Sequence, residues 1–95
     1  MISEKDKEII ISYAKKFDVK EIYLFGSSLD NDGEARDIDL AVRGLSSVAF
    51  FNFYGKLLRY LSKPVDVVNL SIPSRFTKFI ELQAMKNYFL IYSKI

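Results

Sequence analysis

The seven residues RDIDLAV, Arg36 to Val42, constrain this chain more than any other stretch. Side chains alternate across a strand, so Ile38, Leu40 and Val42 share one face while Asp37, Asp39 and Ala41 share the other. Such a strand must bury its aliphatic face against another layer. It must also hold two carboxylates together on the opposite face, where they repel unless something positive lies between them. Aspartate is depleted from strands, so two in one strand ask for a reason. Taken alone, the pair fits either of two accounts, an ordinary surface strand or a site for a divalent cation.

The remainder of the chain reads as the covering for that strand. Ser3 and Asp6 form a capping-box pattern. Ile9, Ile10, Tyr13, Ala14 and Phe17 then recur at helical spacing and predict a helix over 4–16. Asp18 is a turn residue. Val19 to Phe25 predicts a first strand, ended by Gly26-Ser27-Ser28. Arg36 to Val42 is the second strand, closed by Gly44. Ser46 or Ser47 caps a helix of about fifteen residues whose apolar face holds Phe50, Phe53, Tyr54, Leu57 and Leu61. Phe51 and Leu58 widen that stripe beyond what one small core needs. Pro64 starts a third strand, Val65 to Leu70, and Ser71 to Ser74 is a turn. Arg75 to Lys86 predicts a last helix with Phe76, Phe79, Ile80 and Met85 inward, and Tyr88 to Tyr92 a short extended piece. The order α-β-β-α-β-α predicts an α/β (α+β) fold, a small mixed sheet flanked by helices. At 95 residues, a single domain over 1–95 is expected.

A third carboxylate stands among apolar residues in KPVDVVNL, at Asp66. If that strand lies beside the second, Asp66 reaches the same side of the sheet, and three carboxylates there could hold two metals. The chain has neither cysteine nor histidine. Disulfides and thiolate metal sites are therefore excluded. A general base must be a carboxylate, lysine or tyrosine, or come from the substrate. Oxygen ligands favour Mg²⁺, Mn²⁺ or Ca²⁺ over Zn²⁺. Gly26-Ser27 lies directly after the first strand. Glycine permits close backbone approach, and the following N–H groups with the serine hydroxyl could hold phosphate oxygens, although most such pairs are plain turns.

These stretches together resemble the minimal nucleotidyltransferases of the DNA polymerase β-like superfamily. The resemblance rests on Leu24-Phe25-Gly26-Ser27, Asp37-Ile38-Asp39-Leu40 and Asp66 in Pro64-Val65-Asp66-Val67-Val68. It implies a polymerase β palm-like fold and transfer of a nucleoside monophosphate, AMP from ATP, with two Mg²⁺ ions. In that family Gly26 and Ser27 would grip the phosphates, with Ser28 and Arg36 alongside. Asp37 and Asp39 would bind the metals. Asp66 would complete the metal site and help deprotonate the acceptor hydroxyl. The chain departs from the family's pattern at Ser28 and Leu29, where relatives often carry arginine and then a small residue and glycine. Here the glycine comes later, as Gly33. Arg36 stands where relatives often have serine, and either compensates for the missing arginine or faces solvent.

A chain of this length has little beyond a catalytic core, so the acceptor is expected on another protein. Small members of the family resemble the antitoxin of HEPN toxin–antitoxin pairs, which adds AMP to a tyrosine of the toxin. Alternatives are a non-catalytic module that masks a toxin, and a transferase acting on a small molecule or RNA. Phe50, Phe51, Phe53 and Tyr54 crowd one helix turn and cannot all face one small sheet. An exposed aromatic there would suit a partner; self-association into a homo-oligomer and a wide core-facing stripe are the other accounts. From Lys56 onward there are seven bases against two acids. Nucleic acid is a conceivable partner for Lys56, Arg59, Lys63, Arg75 and Lys78, and solvated helix surface is the favoured account. The charged start, MISEKDKE, carries no signal peptide or transmembrane run, so the cytoplasm and no membrane partner are expected.

Overall fold

The computed structural model describes residues 2–25, 37–71 and 88–94. Its elements are α1 (Glu4–Lys16), β1 (Glu21–Phe25), β2 (Ile38–Arg43), α2 (Ser47–Tyr60), β3 (Val65–Asn69) and β4 (Tyr88–Ser93). The predicted helix Arg75–Lys86 lies outside the described residues. The tail expected as a short extended piece is instead a full edge strand, so the described order is α-β-β-α-β-β.

Both helices start where serine supplies an N-cap. The Ser3 hydroxyl accepts from the Asp6 N–H at 3.2 Å, and the Ser46 hydroxyl from the Ala49 N–H at 3.2 Å. The second half of the expected capping box does not form. The Asp6 carboxylate is buried and accepts from the Ser62 N–H at 3.1 Å and from the Ser62 hydroxyl. It therefore pins the first turn of α1 to the loop between α2 and β3. The end of α1 turns at Asp18, whose φ of 60° is the left-handed conformation aspartate tolerates.

The sheet order is β3-β2-β1-β4. β1 pairs antiparallel with β2 on one side and with β4 on the other, while β2 and β3 run parallel. Parallel neighbours need a crossover, and α2 provides it. The Ile38 N–H donates to Pro64 O and the Leu70 N–H to Val42 O, each at 2.8 Å, fastening both ends of that pair.

One face of the sheet carries the core. Ile22, Leu24, Ile38, Leu40, Val42, Val65 and Val67 pack there with Ile10 and Ala14 of α1 and Phe53 and Leu57 of α2. Leu61 joins them, and Phe50 and Tyr54 pack at the margin. Phe17 meets Phe53 edge-on, with ring centroids 5.9 Å apart. A smaller apolar cluster of Ala41, Leu70, Tyr23, Phe25 and Val68 occupies the opposite face. β2 is closed at Gly44, whose φ of 101° and close approach to Lys20 leave no room for a Cβ. The Ser71 hydroxyl accepts from the Gly44 N–H at 2.8 Å, and the buried Asn69 side chain donates to Leu45 O at 3.3 Å. Among the described residues, no helix is long and apolar enough to cross a membrane.

Candidate active site

The pleat of β2 sends Ile38, Leu40 and Val42 into the core and leaves Asp39 on the other face beside Ala41. Asp37 stands two residues earlier, exposed, at the entry to the strand. β3 divides in the same way, with Val65 and Val67 buried and Asp66 exposed between them. The parallel register pairs Asp39 with Asp66 directly. Neighbouring strands are about 4.8 Å apart, so the two carboxylates project side by side. The sequence expectation that the third strand would lie beside the second, with Asp66 on the acidic face, therefore holds.

The electrostatics follow from this crowding. Partial burial raises the pKa of Asp39 from its ordinary value, and the charges of Asp66 and then Asp37 push it the same way. A cation between these groups would relieve all three effects. Every donor is a carboxylate oxygen, which suits a hard ion such as Mg²⁺. Among the described residues, however, no three acidic side chains are gathered closely enough to hold a metal as they stand. The Asp39–Asp66 pair with Asp37 at its flank is the part of the expected site that the fold brings together.

Phe25, the last residue of β1, pairs with Asp39. The chain thus leaves β1 at the level of the carboxylates. Gly26, Ser27, Ser28 and Arg36, the expected phosphate-binding residues, lie outside the described residues.

Tyr54 is a neighbour of the site that the sequence did not single out. Its hydroxyl donates to Val65 O at 3.0 Å on the edge strand that carries Asp66. Its pKa is raised, first by burial and then by the charge of Asp66. In the sequence it is one of four aromatic residues crowding one helix turn and is placed on the apolar face of the helix. The only available signal was its hydroxyl, which a half-buried tyrosine must satisfy.

A family model described as polymerase beta, nucleotidyltransferase matches residues 7–94. Among solved structures, a toxin–antitoxin complex with AMP-PNP is similar at 26% identity, with a TM-score of 0.73 over 93% of this chain and 73% of the other. The MntA–HepT toxin–antitoxin structure matches at 24% identity and TM-score 0.71, over 97% of this chain and 74% of that one. A third structure holds a tri-AMPylated Shewanella oneidensis HEPN toxin with its MNT antitoxin. It matches at 23% identity and TM-score 0.72, over 98% and 74% of the two chains. No curated protein matches the sequence.

Proposed function

The chain belongs to the polymerase beta nucleotidyltransferase family, and from that premise we propose that it is the antitoxin of a HEPN toxin and transfers AMP from ATP to a tyrosine of that toxin. The observation that carries this reading is the parallel pairing of Asp39 with Asp66 where β1 ends. The likeness to a toxin–antitoxin complex holding AMP-PNP supports the nucleotide and the partner. The cytoplasm is the compartment this reading implies, since ATP is the donor.

In this reading Asp37, Asp39 and Asp66 would hold two Mg²⁺ ions. When bound, the ions offset the triphosphate charge and lower the pKa of the acceptor hydroxyl. Asp66, exposed on the edge strand, orients the tyrosine hydroxyl and accepts its proton. The phenolic oxygen bonds to the α-phosphorus, the bond to the β-phosphate oxygen breaks, and pyrophosphate leaves. Gly26, Ser27, Ser28 and Arg36 would steady the phosphates. With no histidine in the chain, rate enhancement rests on positioning and charge.

The test is incubation of the purified chain with α-labelled ATP, Mg²⁺ and the HEPN-domain protein encoded beside it. Label should pass to the toxin, and transfer should fall at least about a hundredfold in Asp37→Asn and Asp39→Asn. Absence of label with wild type would sink the transferase reading. A masking antitoxin without chemistry is the second reading, favoured by the lack of a ready three-carboxylate cluster among the described residues. It predicts neutralisation that survives both substitutions.

A further inference from the structure

The outward face of α2 carries three large apolar residues in one row. Val48 is 73% exposed, Phe51 78% and Leu58 58%. Their spacing of three and seven residues aligns them along the helix, and Gly55 falls between Phe51 and Leu58 on the same row. A glycine in mid-helix is unfavourable by about 1 kcal/mol relative to alanine. Among the described residues nothing requires it, because a Cβ added at Gly55 meets no atom within 4 Å. The row is thus a notch with an aromatic wall on one side and a leucine on the other, open to a neighbour's backbone.

Charge decides what kind of neighbour. α2 contains no acidic residue. Asn52, Lys56 and Arg59 form a second row along one flank of the notch, with Arg59 exposed. In an antiparallel pairing of two copies the same flanks meet, which would set Lys56 and Arg59 against their own duplicates. A partner helix with an apolar ridge and carboxylates along its flank satisfies both rows.

We infer that the Val48–Phe51–Gly55–Leu58 row is the docking surface for the toxin, which presents an apolar helix ridge edged by acidic side chains. This rests on the proposed antitoxin role and adds to it where the toxin is held. α2 packs on the sheet face opposite Asp39. Docking there leaves the carboxylate face open to the acceptor tyrosine, so holding the toxin and modifying it use different sides of the sheet.

The experiment titrates the neighbouring HEPN-domain protein against wild type, Phe51→Ser, Leu58→Ser and Gly55→Ala, with AMP transfer measured at saturating toxin. Each substitution should weaken binding by about tenfold or more, with the maximal transfer rate unchanged. Gly55→Ala favours the helix, so lost binding in that variant cannot come from unfolding. Wild-type affinity in all three variants overturns the inference, as does failure of wild type to bind the toxin. A dimer of the chain alone that Phe51→Ser dissolves, with toxin binding intact, assigns the row to a second copy and also overturns it. Absent label transfer with tight, row-dependent binding defeats the transferase reading and leaves the docking surface supported.

Discussion

With no cation present, an ionised Asp39 faces both partial desolvation and two neighbouring carboxylates. A pKa raised in the folded state means that the fold favours the protonated form. No cost exists below the unfolded value; it grows as pH rises through the folded value and persists at neutral pH. Metal-free Asp39→Asn should therefore melt higher than wild type at pH 7.5, by about 2–4 °C given the partial exposure of the group. The gap should close as the pH falls toward 4. Mg²⁺ should raise the wild-type melting point more than that of the variant, and equal shifts would argue against Asp39 as a ligand. The acidic pair was legible because alternation at period two tells which side chains share a face. Asp66 was legible only as a condition, since strand adjacency is a long-range fact that no local pattern encodes. Tyr54 was not legible, because its role depends on an edge carbonyl of another strand.

At the scale of elements, one buried carboxylate joins α1 to the loop before β3. Asp6→Ala removes both acceptors of Ser62 and should cost about 2–3 kcal/mol, read as a lower urea midpoint with an unchanged slope. The capping-box motif at Ser3 and Asp6 was read correctly for the serine and incorrectly for the aspartate. Motif spacing describes what a side chain can reach locally, and here a tertiary partner competed for it. The two described glycines should respond in opposite directions to alanine. Gly44→Ala meets Lys20 and a positive φ, and should destabilise the fold by about 1–3 kcal/mol. Gly55→Ala should stabilise the isolated chain by about 0.5–1 kcal/mol. Thermal or urea unfolding of both variants would check the pair. The surplus of aromatics on α2 was visible in the sequence, and the structure assigns the surplus to Phe51. The helix has one core-facing side, and Phe53 and Leu57 already fill it.

At the scale of the whole molecule, the described helices and strands lie where caps, periodicity and turn residues put them, with strand ends differing by one or two positions. The sheet's completion did not follow. YFLIYS has the composition of a strand, but its place beside β1 requires pairing residues 21–25 with residues 88–93. That separation shapes how the molecule is made. At synthesis rates of about 5–20 residues per second, β1 emerges roughly 3–14 s before β4. During that interval β2 and β3 can already align their aspartates, while the outer edge of β1 offers unpaired backbone groups to any passing strand. A nascent chain in this state would carry an assembled acidic pair on an unfinished sheet. Slowing translation after residue 71 should thus raise its aggregation more than its misassembly at the acidic pair, so a codon choice far from the site could set how much folded protein a cell obtains.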